Sequence, residues 1–264
     1  RLKRSTKPNA ALRMKILAIE FSTGQRSVAV VVDGSVRAAA VAAGVPPGGM
    51  DVRTAVALKC SSAGPGGKMP PSTAGGTPAA TTRAFALIEQ ALAGARLERE
   101  QIECLAIGLG PGSYAGIRAA ISLVQGWQLA RPVKLIGISS VECLAAEAQA
   151  RGWFDRVNFA IDAQRNELYL AGYDIAAGSC RVVEPLKLAA LAEARARSSA
   201  GGIIAGPEVT RWFPEGRILF PGAAILGQLA GGRTDFLDGN NLEPIYLRET
   251  NFVKAPPPRI LPAG

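Results

Sequence analysis

The sequence predicts an α/β protein made of two lobes on one repeated plan, and three observations carry that prediction. An apolar strand that ends in a carboxylate occurs twice, as Ala18-Ile19-Glu20 and as Ala160-Ile161-Asp162. Each copy is followed by a short polar turn and a second β-patterned run. Between them, Gly108-Leu109-Gly110-Pro111-Gly112-Ser113 joins an apolar run, Ile102 to Ile107, to the most regular amphipathic helix of the chain. Strands that alternate with helices in this way point to the α/β class.

Taken in order, Lys15 to Glu20 reads as a buried strand and Ser27 to Val32 as its hairpin partner. Asp33-Gly34 is a tight-turn dipeptide, so Val36 to Ala42 is a third antiparallel strand. From Gly44 to Thr82 the chain becomes rich in Ser, Thr, Ala, Gly and Pro and has too little apolar surface to offset its ordering entropy. A flexible insertion is expected there. Arg83 to Ala95 recovers a helical pattern through Phe85, Leu87, Ile88, Ala91 and Leu92. After the glycine joint, Ser113 stands as an N-cap to a helix reaching about Ala130, with Ile117, Ile121, Val124 and Leu129 at helical spacing. Gly116, Ala119, Ala120 and Gly126 make one flank of that helix small enough for close approach of another helix. Lys134 to Ile138 is the next strand, and Ser139 or Ser140 caps a helix that ends at Ala150.

The β-β-β-α-β-α-β-α order then starts again, with strands at Val157 to Asp162, Glu167 to Tyr173 and Arg181 to Val183, and a helix from Leu186 to Arg197. Strands at Gly202 to Ala205 and Ile218 to Phe220 and a helix from Ala223 to Ala230 complete a shortened copy. The expected division is a basic extension over 1–13 outside the fold, a first lobe over 14–150, a second over 151–249, and a tail over 250–264.

Composition removes several function classes. The chain of 264 residues has no histidine, which excludes HExxH and other His-based metal sites, the Ser-His-Asp triad and a histidine general base. Its four cysteines, Cys60, Cys104, Cys143 and Cys180, form no CxxC pair and fit reduced thiols in the cytoplasm. No apolar run reaches the ~20 residues that span a bilayer, so no membrane association is expected. Of the net charge of +9, five positive residues precede Met14 with no acid among them, and the remainder describes a mildly basic globular protein.

Two such copies describe the actin-like and Hsp70-like ATPase architecture (ASKHA, ribonuclease H-like), in which nucleotide phosphates lie between the lobes. By that analogy Glu20, Thr23, Gly110, Gly112, Ser113 and Asp162 are candidates for a vestigial nucleotide or phosphate site. The two carboxylates would hold hydrated magnesium, and the glycine turn with its helix N-terminus would cradle an anion. The structural alternative is that the acids solvate strand ends and the glycines serve only a tight turn.

Four blocks make the resemblance specific. Lys15-Ile16-Leu17-Ala18-Ile19-Glu20-Phe21-Ser22-Thr23, the stretch from Gly108 to Arg118 (GLGPGSYAGIR), Ala160 to Tyr169 (AIDAQRNELY) and Glu243-Pro244-Ile245-Tyr246-Leu247-Arg248 resemble, in this order, the bacterial TsaB (YeaZ) family. The resemblance implies a non-catalytic subunit of the machinery that forms N6-threonylcarbamoyladenosine at position 37 of ANN-decoding tRNAs. It implies pairing with a TsaD-like catalytic paralogue through first-lobe helices, a TsaE-like ATPase as third component, and contact with tRNA only through the complex. A homodimer of the isolated chain is left open. On this reading Leu87, Leu92, Gly116, Ile117, Ala120, Ile121 and Val124 form the partner interface, no residue is catalytic, no metal is held, and the chain is not a peptidase. No cofactor is required, with weak binding of ATP or ADP with magnesium left open. Gln164 stands where the family usually has arginine. The alternative function is an ATP-dependent phosphotransferase or ATPase of the same fold.

Overall fold

The computed structural model describes residues 14–42, 78–199 and 201–248. The extension over 1–13, most of the insertion and the tail lie outside the described residues. The described residues form two five-stranded sheets, and these share one plan. The first has the order β3-β2-β1-β4-β5, from β1 (Lys15–Glu20), β2 (Ser27–Val32), β3 (Ser35–Val41), β4 (Cys104–Gly108) and β5 (Lys134–Ile138). The second has the order β8-β7-β6-β9-β10, from β6 (Asp155–Asp162), β7 (Glu167–Ala176), β8 (Ser179–Ala190), β9 (Ile203–Gly206) and β10 (Arg217–Ile218). In each, the carboxylate-terminated strand is central, antiparallel to its hairpin partner and parallel to the strand on its other side.

Alternation along β1 sends neighbouring residues to opposite faces. Leu17 and Ile19 pack under the helices α1 (Pro78–Ala95) and α2 (Tyr114–Ala130). Ile16 and Ala18 pack on the other face against α5 (Ala223–Gly231). The second sheet lies between α3 (Ser140–Ala150), which covers Val157, Phe159 and Tyr173, and α4 (Leu191–Ser199), which covers Leu168 and Leu170. The helix that ends each half therefore crosses to the sheet of the other half, with α3 on the second sheet and α5 on the first. Gly227 permits that crossing, because a Cβ there would press on a methyl of Val31. The two crossing helices touch between the sheets and tie the lobes into one body.

Two expectations change. The first helix opens at Pro78, so the end of the segment expected as a flexible insertion is helical. β8 extends to Ala190, and Leu186 to Ala190, expected as the start of a helix, are strand; Leu186 and Leu188 repeat at the strand period of two, and Leu188 pairs with Tyr169. Where the first copy has α2 between β4 and β5, the second has a 3-10 turn, Val209–Arg211, between β9 and β10. No helix among the described residues is long and apolar enough to cross a membrane.

Candidate functional site

The glycine joint is a packed seam. Gly110 and Gly112 have φ of +87° and +149°, values that side-chain-bearing residues rarely adopt. A Cβ at Gly112 would fall on the Ser22 carbonyl oxygen, and one at Gly116 on that of Phe21. The absence of side chains lets the N-terminus of α2 rest against the β1–β2 turn. The Ser113 amide donates to the Ser22 carbonyl at 2.6 Å, and the Ser113 hydroxyl caps the helix by accepting from the Gly116 amide at 3.3 Å. An amide that an anion would need is thus already satisfied by the chain's own backbone.

Glu20 does not face the cleft. It is fully buried, and its carboxylate accepts from the Ser22 amide at 2.8 Å and the Ser140 hydroxyl at 2.9 Å. The Ser140 oxygen accepts in turn from the Gly110 amide at 3.2 Å, and the Ser140 amide donates to the Gly110 carbonyl at 2.8 Å. Gly108 gives the carboxylate its room, since a Cβ there would coincide with it. Burial pushes the Glu20 carboxyl above its ordinary value, and the hydrogen bonds from Ser22 and Ser140 only partly oppose this. The side chain locks β1, the glycine joint and the start of α3 together. The expectation of a magnesium ligand at Glu20 is corrected: its oxygens are turned into the protein and engaged there.

Asp162, its counterpart in the second lobe, does line the cleft, with Thr23, Gly112 and Ser113. Its carboxylate accepts from the Gln164 amide at 2.7 Å and pairs with Arg211 at 3.4 Å. The cleft has a volume of about 990 Å³, and the walls also carry Tyr114, Arg165, Glu208, Tyr246 and Arg248. Of the two strand-end carboxylates expected to face the cleft, Asp162 does and Glu20 does not. Among the described residues no group of three or more Cys, Asp or Glu side chains could hold a metal ion.

The seven residues expected at a partner interface are also placed differently. Leu87, Leu92, Gly116, Ile117, Ala120, Ile121 and Val124 are all buried in the chain's own first-lobe core. An apolar stripe at helical spacing is the face a helix turns to its own sheet, and that requirement takes precedence here. Leu129, about a third of a turn past the direction of Ile117, is 90% exposed instead. The outer face of α2 carries Ala115, Ala119, Ser122 and Gly126, and that of α1 carries Phe85, Ala86, Gln90 and Ala93.

Sequence reading missed Ser140 as the partner of Glu20, and no local pattern joins positions 120 residues apart. It also gave no role to Tyr114, Tyr246 and Arg248, although all three stand in the blocks that carry the family resemblance.

Two equivalent sheets with exchanged terminal helices and a cleft at the ends of β1 and β6 place the protein in the actin-like α/β class. A family model described as "TsaD: tRNA N6-adenosine threonylcarbamoyltransferase" matches residues 64–232, more than half of the chain, and the chain belongs to that family, on its TsaB (YeaZ) side. It is 34% identical over 93 residues to the tRNA threonylcarbamoyladenosine biosynthesis protein TsaB of Escherichia coli (strain K12), a match covering 35% of this chain and 40% of that protein. It is 34% identical over 91 residues to the TsaB of Haemophilus influenzae, covering 34% and 39%. The matched segment thus spans about two fifths of the length of these curated relatives. The solved structure of YeaZ from Pseudomonas aeruginosa superposes with a TM-score of 0.64 at 21% identity, over 89% of this chain and all of that one. A second solved structure, described as an uncharacterized protein with similarity to peptidase YEAZ from Pseudomonas aeruginosa, gives 0.63 at 22% identity with the same coverage.

Proposed function

We propose that the chain is a non-catalytic subunit of the assembly that forms N6-threonylcarbamoyladenosine at position 37 of ANN-decoding tRNAs, and that it binds and activates a TsaD-like catalytic subunit. The observation that carries this reading is the outer face of α2. Ala115, Ala119, Ser122 and Gly126 recur at the spacing of one helical stripe and leave the backbone open to close approach, with Leu129 fully offered at one end. Phe85 on α1, 46% exposed, lies on the same side of the sheet. Apolar burial between helices supplies the docking energy. A TsaE-like ATPase joins the pair, tRNA is met through the assembled complex, and the assembly works in the cytoplasm.

The naming of the curated relatives as biosynthesis proteins supports the pathway. The inward-turned Glu20 and the Ser22 carbonyl at the helix N-terminus favour docking over nucleotide chemistry. Reconstitution tests the reading: a TsaD-like subunit with TsaE-like ATPase, threonylcarbamoyl donor and tRNA should modify adenosine 37 only when this chain is added. Modification at the same rate without it overturns the activating role. Tight binding of magnesium and ATP with turnover by the isolated chain would favour the ATPase alternative.

A further inference from the structure

We infer that Leu242 to Arg248 form a strap that ties the β6–β7 turn of the second lobe to the glycine joint of the first across the cleft, with the Arg248 guanidinium as its latch. This rests on geometry alone and does not depend on the function proposed above. The strap and the residues that lead into it are fixed on the first lobe at successive points. Gln125 and Gln128 of α2 clasp the Gly239 backbone at 2.8 Å on both its carbonyl and its amide. Leu242 is buried in the first-lobe core. The Ile245 amide donates to the carbonyl of Leu109, inside the glycine joint, at 2.8 Å. The Tyr246 ring then meets that of Tyr114, the first residue of α2, at 5.9 Å between centroids.

On the second lobe, the described contacts of the strap converge on Arg248. Its guanidinium donates to the Ala163 carbonyl at 2.9 Å and pairs with Glu167 at 2.6 Å, so it grips both sides of the β6–β7 turn. That turn needs holding. Gln164, Arg165 and Asn166 are three consecutive non-glycine residues with left-handed backbone, at φ of 66°, 57° and 62°. Each is costly for a residue with a Cβ, so such a run persists only where its surroundings fix it. Asp162 holds it from within through the Gln164 amide, and Arg248 holds it from the strap. Since Glu243, Pro244, Tyr246 and Arg248 line the cleft, the strap forms part of its wall and sets what enters.

Hydrogen exchange of the full chain, read peptide by peptide, tests the inference. In Arg248→Ala, exchange should accelerate roughly tenfold in peptides covering 242–248 and 163–168, because one latch and its share of the turn's support are lost. Peptides from β4 and β6 should keep their protection. Arg248→Lys, which retains a cation for Glu167, should recover part of the effect. Arg211→Ala removes the other ion pair of the same turn and should leave 242–248 unchanged. Unchanged exchange at 242–248 in Arg248→Ala overturns the latch. So does equal acceleration through both sheets, which would make Arg248 a support of the whole fold.

Discussion

The two lobes share a sheet plan and use it differently. At the end of β1 a carboxylate is turned inward and locks three elements, whereas at the end of β6 a carboxylate serves its own turn and faces the cleft. Above the first sheet lie two long helices; at the place of the second of these, the other copy has a 3-10 turn. A duplicated strand thus keeps its position while its terminal acid changes employment. What decides is the neighbour: Gly108 makes room beside Glu20 for a buried carboxylate bonded to Ser140, while Gly206, at the end of β9, admits the backbone carbonyl of Ala160.

The largest expected effect sharpens the contrast between the inner and outer faces of the helix that only the first lobe keeps at full length. Ala120→Glu buries a charge without a partner in the first-lobe core and should cost several kcal/mol, roughly enough to unfold a marginally stable chain. Ser122→Glu, two residues away on the outer face, should change the unfolding free energy by less than about 0.5 kcal/mol. Circular dichroism of the two variants separates them, and equal losses would mean that α2 has no free side.

Next in size is the pair of acids. Glu20→Ala leaves the Ser22 amide and Ser140 hydroxyl without their acceptor and opens a cavity, at a cost of about 3 kcal/mol. Asp162→Ala, at a partly solvated site, should cost about 1 kcal/mol. Denaturant titrations of both variants measure the asymmetry, and similar costs would break the comparison between the lobes.

A smaller effect is the pH dependence. Because burial raises the Glu20 carboxyl above its ordinary value of 4.5, the folded chain retains a proton that the unfolded chain has released. The contribution of this group to stability is complete below the ordinary value, declines as pH rises through the raised one, and then levels off. Glu20→Gln should remove that decline, and urea midpoints across a pH series for both proteins give the difference. A wild-type curve parallel to that of Glu20→Gln would show that the carboxyl titrates normally.

Much of this arrangement was legible in the sequence. The strands β1, β2 and β5 begin and end where apolar runs and turn residues place them, and Ser113 and Ser139 cap their helices. The exchange of α3 and α5 was not legible. Ala223, Leu226 and Ala230 announce a buried stripe, but nothing in their identity names the sheet they bury against. The same ambiguity misplaced the interface residues, since Ile117 and Val124 would look alike facing a partner or a core. The role of Glu20 depends on Ser140, which the fold brings beside it from far along the chain.

The proposed docking surface is the outer face of α1 and α2. The direct measurement is the mass in solution of this chain mixed at micromolar concentration with a TsaD-like subunit, for the wild type and for Gly126→Glu. A Cβ at Gly126 meets nothing within 4 Å, so that variant should fold normally. A complex formed by the wild type and lost in Gly126→Glu is the predicted result. Two separate species in the wild-type mixture, or a complex that survives the substitution, would contradict it.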